Sequence, residues 1–255
     1  MQKASVYTSL GLRRCVGGCF FRRIMDKLKR VITYFTGLEW TIWLSSMVLI
    51  VVSFIFTPEK DYFSLASSLI GVTALICSAK GNPFGQVLMI IFCIMYGVIA
   101  YSCDYYGEVL TYVFMTGPMA IFALISWLRN PFKGNRAEVK VNRIGIKETI
   151  FMLAVSVPVT VAFYYILAAF GTANLLISSL SVTTSFLAVY LTARRSPFYA
   201  LAYAANDVVL VVLWVLASIE NPEYVSTVAC FGVFLANDIY GFISWRRMEK
   251  RQSAE

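Results

Sequence analysis

The tripeptide Ala-Asn-Asp occurs twice, at Ala205-Asn206-Asp207 and Ala236-Asn237-Asp238, each time inside a stretch otherwise apolar enough to cross a membrane. These are the residues best placed to do chemistry. An acidic side chain near the centre of a spanning helix costs roughly 2.5 to 3.5 kcal/mol on insertion scales, so residues of this type usually mark a pathway or a binding site. A carboxylate accepts hydrogen bonds and offsets positive charge, while an amide both donates and accepts. An aromatic hydroxyl accompanies each amide on its own helix face: Tyr203 is one turn from Asn206, and Tyr240 one turn from Asn237. Trp214 follows Asp207 at i+7, two turns further along the same face. Aromatic faces attract a flat cation by about 2 kcal/mol when desolvated, so this set suits a ribosylated aromatic cation. The bland alternative is that Asn and Asp on neighbouring helices bond to each other as interhelical glue, worth about 0.6 to 2 kcal/mol. That alternative weighs most for Asp238, and packing is a comparable role for Trp214 and Tyr203.

Enzyme chemistry has no comparable foothold. The chain contains no histidine, no glycine-rich phosphate loop and no nucleophile with a base at recognisable spacing. Its acidic pairs are not spaced as metal ligands, so no metal and no cofactor are expected. A membrane enzyme would also place its reacting groups near an interface, whereas these polar residues are central. A receptor that binds without moving cargo is a third class.

The elements that must carry these residues are membrane helices. Of 255 residues, 59% are hydrophobic and only 14% charged, the composition of a polytopic membrane protein. Eight apolar segments can be read, at about 40–57, 62–79, 84–103, 108–128, 148–170, 172–193, 197–218 and 224–245. Each approaches the twenty or so residues that span about 30 Å of hydrocarbon. Lipid offers no partner to a bare backbone N–H or C=O, so the spans are helices, and the absence of short alternating strands excludes a barrel. The expected fold is an all-α polytopic membrane protein with eight transmembrane helices.

Basic residues fix the orientation. With the N-terminus in the cytoplasm, that side holds eight Lys and Arg before the first span, Lys80, six from Arg129 to Lys147, Arg194, Arg195 and four after Ser244, leaving Lys60 alone outside. The positive-inside rule therefore places both termini in the cytoplasm. Asp104, Glu108, Glu220 and Glu223 read as acidic residues of the external turns. Because the basic residues lie in short loops beside spans, the net charge of +8 does not point to nucleic acid. Residues 1–36 read as a basic cytoplasmic segment rather than a cleavable signal, since Phe20-Phe21-Arg22-Arg23 breaks any apolar core. Met25 is an alternative start. Cys15 and Cys19 are too few for a metal site, and Cys77, Cys93, Cys103 and Cys230 behave by default as small hydrophobes.

The chain also repeats itself. Ser67-Ser68-Leu69 answers to Ser178-Ser179-Leu180, Asn82-Pro83-Phe84 to Ser196-Pro197-Phe198, and Ser126-Trp127-Leu128-Arg129 to Ser244-Trp245-Arg246-Arg247, at offsets of 111, 114 and 118. The repeat unit is three helices, residues 61–130 and 172–247, and the copies begin four spans apart, so they enter the membrane in the same direction. The span at 148–170 links them, giving a 3+1+3 core with an extra N-terminal helix and a tail at 248–255. Parallel repeats of this kind are a transporter design, shared with the SWEET carriers.

Several residues carry a family resemblance over about residues 37–247. Tyr106-Gly107-Glu108 opening a span, Pro118-Met119 inside it and Trp127 at its end resemble the first repeat of the PnuC nicotinamide riboside transporters. Asn237-Asp238-Ile239-Tyr240-Gly241-Phe242 with Trp245 resembles that family's last helix, which ends in N-x-x-Y. The resemblance implies a SWEET-like fold in a bacterial cytoplasmic membrane and uptake of a vitamin-type substrate by facilitated diffusion. It further implies trapping by a cytosolic kinase and a homo-oligomer such as a trimer. The chain departs from the pattern where the family often has W-x-x-W in the seventh span, here Ala200 and Tyr203, and polar residues around Pro-Met, here Tyr112 and Ala120. Carriers of thiamine or riboflavin within the family therefore stay open.

Helical rise places the acidic pairs in depth. Asp207 lies ten residues beyond Pro197, about 15 Å from the cytoplasmic edge, and Asn237 and Asp238 lie about 11 to 12 Å from it. Transporter sites are expected near that midplane. The substrate-binding candidates are therefore Asn206, Asp207, Asn237, Tyr240, Tyr203, Trp214 and Asp238, joined by Tyr96, Gln86 and Tyr101 from the first repeat, whose equivalents of the acidic pairs are apolar. Trp40, Trp43, Trp127 and Trp245, near span ends, read as interfacial anchors. Pro83 and Pro197 start helices, whereas Pro118 and Pro158 lie inside spans, with Pro118 the expected hinge.

Overall fold

A hydrocarbon solvent requires that backbone polar groups be satisfied within each span, and among the described residues eight long apolar helices meet that requirement. The computed structural model describes residues 33–56, 60–102, 106–172, 174–220 and 222–255. Cys15, Cys19, Met25, Cys103 and Asp104 lie outside them. The helices are α1 (Gly37–Phe56), α2 (Tyr62–Ala79), α3 (Phe84–Ser102), α4 (Tyr106–Arg129), α5 (Ile146–Ala169), α6 (Leu175–Ala193), α7 (Tyr199–Glu220) and α8 (Val225–Ala254). The all-α polytopic expectation holds. Residues 248–254, read from the sequence as a tail, continue α8.

Two compact units divide the chain, Met1–Ile42 and Trp43–Glu255. Within the first, the Thr36 N–H donates to Glu39 Oε2 at 2.7 Å and the Glu39 N–H donates to Thr36 Oγ1 at 3.3 Å. This reciprocal capping box satisfies two of the orphan donors that begin α1.

The second unit is built on a ring. Helix α2 packs on α3, α3 on α4, α4 on α6, α6 on α7, α7 on α8, and α8 returns to α2, while α5 packs against α6. The two three-helix repeats thus meet twice, each through its third helix against the other's first. Large apolar side chains such as Ile94, Phe122, Tyr165, Leu201 and Ile239 remain exposed, as a surface facing lipid requires. The buried set is unusually polar and includes Ser78, Gln86, Glu108, Thr116, Ser185, Asn206, Asp207, Asn237 and Asp238.

The repeat symmetry is visible in backbone geometry. At the end of α2 the Gly81 N–H donates to Ser78 O at 2.8 Å and the Asn82 N–H to Cys77 O at 3.1 Å; at the end of α6 the Arg195 N–H donates to Thr192 O at 3.0 Å and the Ser196 N–H to Leu191 O at 3.0 Å. Both are Schellman caps with a left-handed residue, Gly81 at φ 68° and Arg195 at φ 57°. The matched caps set the offset between α2 and α6 at 114 along these uninterrupted helices, three residues away from the 111 read from the serine pairs. Ser67 then answers to Ser181 and Gly71 to Ser185.

Trp127 and Trp245 are corrected from interfacial anchors to core. They are 1% and 0% exposed, with ring centroids 5.3 Å apart. Trp127 Nε1 donates to Thr192 O at 2.9 Å, and Trp245 Nε1 donates to Ser78 O at 2.8 Å. Each indole therefore bonds the end of the other repeat's first helix, through carbonyls that accept from the cap with one lone pair and keep the second free. An interfacial tryptophan would need water for its N–H; here the opposite repeat supplies the acceptor, so burial carries no polar penalty.

Helix α4 is not uniform. Residues Leu110–Thr116 form a π-helix, closed by the Gly117 N–H donating to Tyr112 O. Pro118 follows immediately and has no N–H to give to Phe114 O, so the widened turn is the local response to the proline. Pro118 itself is exposed.

The basic loops come together at one end. Pro131–Phe132 and Asn135–Val139 form a short antiparallel hairpin, turned through Lys133 and Gly134, both at positive φ. The Val139 N–H donates to Gly81 O at 2.9 Å, the Asn142 N–H to Arg195 O at 3.0 Å and the Val141 N–H to Gln252 Oε1 at 2.8 Å. Arg143 Nε pairs with the buried Glu249 at 2.6 Å, and Arg246 reaches the same carboxylate. One loop thereby ties the α2–α3 turn, the α6–α7 turn and the end of α8.

Trp127→Phe and Trp245→Phe each remove one buried hydrogen bond of the same kind, so both should lower unfolding stability in detergent by about 1 to 2 kcal/mol, and by similar amounts. Thermal melts of the two variants check this. Gly85→Val should prevent folding, because a Cβ there would sit 2.3 Å from Ser78 Oγ and 2.7 Å from Ser78 N. Recovery of monodisperse protein from that variant would contradict the close α2–α3 approach.

Candidate functional site

The buried polar residues of both repeats converge on one small cavity. Helix α7 contributes Tyr203, Asn206 and Asp207, α8 contributes Phe234 and Asp238, and α6 contributes Ser185. The first repeat contributes Leu75 from α2, Met89 and Phe92 from α3, and Tyr112 and Thr116 from the π-turn of α4. Three pairs in this lining are repeat equivalents at the offsets of 114 and 118: Met89 with Tyr203, Phe92 with Asn206, and Thr116 with Phe234. The cavity therefore lies on the approximate two-fold axis between the repeats.

Four of the residues singled out in the sequence meet there: Asn206, Asp207, Tyr203 and Asp238. The Asp207 and Asp238 side chains interact directly, and both are under 5% exposed. Asp207 Oδ2 has no hydrogen-bond partner among the described residues. The two Ala-Asn-Asp copies thus bring their carboxyl groups, not their amides, to a common point.

The two amides have different surroundings. Asn206 Oδ1 accepts from Thr184 Oγ1 at 2.8 Å, Ser185 Oγ at 3.0 Å and Ser181 Oγ at 3.3 Å, all on α6. Asn237 lies outside the cavity lining and ties helices instead, with Nδ2 donating to Ser46 Oγ at 2.9 Å and to Val233 O at 2.8 Å. That is the interhelical glue weighed in the sequence, realised at the amide.

The remaining candidates also fall outside the lining. Tyr96 is buried behind it, stacked on Phe92 with centroids 5.5 Å apart. Gln86 is buried toward the basic end, with Nε2 donating to Ser78 Oγ at 3.4 Å. Tyr101 is exposed, with its ring edge-on to Tyr106. Trp214 packs edge-on against Tyr224 within the core, and Tyr240 is half-buried on α8. Pro118 reaches the site only through the π-turn that precedes it, which carries Tyr112 and Thr116.

Several lining residues were not singled out. Tyr112 enters the sequence reading only as a departure from a family pattern, and Phe92 falls among the apolar equivalents of the acidic pairs, at the offset of 114 from Asn206. Ser181, Thr184 and Ser185 could have been found as a polar stripe at i, i+3 and i+4 in an otherwise apolar span. Glu108, read as an acid of an external turn, is buried in the first turn of α4 with its side chain beside Tyr96. A glutamate two residues after an aromatic at the start of a span carries no signal that separates these outcomes.

The contrast between the halves has a steric basis. Where the second repeat pairs Ser185 with Asn206, the first pairs Gly71 with Phe92. A Cβ at Gly71 would stand 3.1 Å from the Phe92 ring and 2.6 Å from Phe234 Cζ, so the small residue is what admits the ring. Polar lining is concentrated on α7 and α8, and the first repeat supplies a wall of Phe92, Met89 and Tyr112.

As it stands the cavity measures about 20 Å³, room for one water. Small-molecule pockets run to roughly 300 to 1,000 Å³, so admitting an organic cargo requires these helices to separate. The structure is in a closed form.

Comparison with known proteins bears on what such a site does. The chain is 24% identical over 259 residues to the nicotinamide riboside transporter PnuC of Neisseria mucosa, covering 97% of this chain and 98% of that one. It is 20% identical over 212 residues to the nicotinamide riboside transporter PnuC of Haemophilus influenzae, covering 82% and 90% of the two chains. A crystal structure of the vitamin B3 transporter PnuC superposes with a TM-score of 0.75 at 22% identity, over 86% of this chain and 94% of that chain. Residues 61–247, both repeats and the linker helix, match the family model of the nicotinamide mononucleotide transporters, and the chain belongs to that family of membrane transporters.

Proposed function

We propose that the chain imports nicotinamide riboside by facilitated diffusion through the cavity between the repeats, with the basic end and both termini in the cytoplasm of a bacterium. The observation that carries this reading is the charge of the lining. Asp207 and Asp238 face the cavity with no lysine or arginine among the lining residues. Carboxyl groups in a low-dielectric site favour a cationic ring and oppose a phosphate dianion. The riboside, a pyridinium cation without phosphate, fits such a lining; its mononucleotide does not. Carboxylates also accept from ribose hydroxyls, and Phe92, Tyr112 and Tyr203 offer aromatic surface to a flat ring.

A carrier without an energy source equilibrates its cargo, so net uptake depends on a cytosolic kinase that phosphorylates the riboside and prevents its return. Assembly into a homo-oligomer, as a trimer, accompanies this reading. The second reading is a carrier for thiamine, another cationic aromatic vitamin that the same acidic lining favours. Riboflavin, which is neutral, gains nothing from it.

Uptake into proteoliposomes of labelled nicotinamide riboside, thiamine, riboflavin and nicotinamide mononucleotide tests the proposal. Nicotinamide riboside should equilibrate and the mononucleotide should not; equilibration of thiamine alone would overturn the substrate, and of none of the four, the transport reading. Asp207→Asn should reduce nicotinamide riboside uptake by about 10- to 100-fold, the loss of one charged contact. Asn237→Ala should lower stability by about 1 to 3 kcal/mol yet leave KM within about two-fold, because its amide bonds Ser46 and Val233 rather than cargo.

A further inference from the structure

The Asn206 side chain is held by its oxygen. An amide oxygen has two lone pairs, and three hydroxyls of α6 stand within 3.3 Å of this one. Thr184 can also return its proton to the Leu180 or Ser181 carbonyl at 3.0 Å, as hydroxyls in helices commonly do. Ser181 and Ser185 make no such back-bond among the described residues, so their protons go to Asn206. Two donors on one atom identify that atom as the oxygen and leave the amide nitrogen on the opposite side. Asn206 lines the cavity, and its Nδ2 makes no hydrogen bond within the described residues. The NH2 group therefore faces the cavity as a pure donor.

We infer that Ser181, Thr184 and Ser185 are positioning residues that fix the polarity of Asn206, so that α7 selects a cargo presenting a hydrogen-bond acceptor to it. A free asparagine offers either a donor or an acceptor by rotating its amide, and discriminates poorly between them. A clamped one rejects a cargo donor, because the mismatch leaves two buried donors facing each other. This deepens the proposed transport function and rests on it for the identity of the cargo. In the first repeat the corresponding set is Ser67, Ile70 and Gly71 around Phe92, which has no polarity to fix, so the clamp belongs to the second repeat alone.

The test combines kinetics with a ligand-free structure. For uptake of labelled nicotinamide riboside, Ser185→Ala and Ser181→Ala/Ser185→Ala should raise KM by about 5- to 30-fold, with the maximal rate within two-fold. Ser185→Thr, which keeps the hydroxyl, should restore KM. Asn206→Asp, which retains the acceptor for the clamp and loses the donor to the cargo, should raise KM at least as much as the double variant. Wild-type KM values in the serine variants, with active wild-type protein, would overturn the inference and leave the transport reading intact. If wild-type protein moves none of the labelled vitamins, the transport reading fails, and the second arm decides the clamp. In the experimental structure of the double variant, the Asn206 amide should rotate away from α6; an amide held in the same place would overturn the positioning role.

Discussion

A polar group within hydrocarbon must find its partner inside the protein, and that constraint organises every part of this fold. Hydroxyls that could not reach water bond the turn before them: Ser68 to Ser64 O, Thr111 to Gly107 O, Ser179 to Leu175 O and Thr192 to Ala188 O, at 2.7 to 3.0 Å. The two buried indoles bond carbonyls at helix ends of the opposite repeat. The missing N–H of Pro118 is absorbed by a π-turn inside α4 rather than by an open carbonyl facing lipid. At the cavity on the axis between the repeats, ring closure through reciprocal contacts leaves Asp207 Oδ2 buried with no hydrogen-bond partner among the described residues.

Duplication supplies the frame of that cavity and divergence supplies its chemistry. At equivalent positions of the two repeats, Asn206 answers to Phe92, Tyr203 to Met89 and Asp238 to Ala120. The exchange is coupled in space, since Ser185 supports Asn206 while Gly71 admits Phe92. One half supplies polar groups and the other an aromatic wall. A cavity of about 20 Å³ between them implies that cargo enters only when the repeats part, which the hairpin and the indole bonds oppose at the basic end. Those contacts are the ones that opening toward that side must break.

Much of this was legible in the sequence because membrane physics restricts the choices. Span length, the placement of 21 of 22 basic residues and three ordered repeat matches were enough to expect eight helices in a 3+1+3 arrangement. Asp207, Asp238, Asn206 and Tyr203 stood out because ionisable and amide groups are costly in apolar spans. What the sequence could not separate was the direction each side chain takes from its helix. Asn237 carries the same local signal as Asn206 but bonds Ser46. Trp127 and Trp245 sit where interfacial anchors sit, and only tertiary packing turns them inward. The register of the first helices differs by three residues because the Ser-Ser-Leu match at 111 is a local coincidence in a serine-rich span, and the paired Schellman caps fix the offset at 114. Tyr112 and Thr116 reach the cavity from a π-turn, a departure from regular helical phase that no periodicity argument anticipates.

The central claim is that cargo is held at the junction of the repeats by the carboxyl groups of Asp207 and Asp238. The most direct measurement is an experimental structure determined with saturating nicotinamide riboside. Ligand density bounded by Asn206, Asp207, Asp238, Phe92 and Tyr112, in a cavity enlarged from its closed form, is the expected result. Density outside that junction, with the two carboxyl groups still turned to each other, would contradict it.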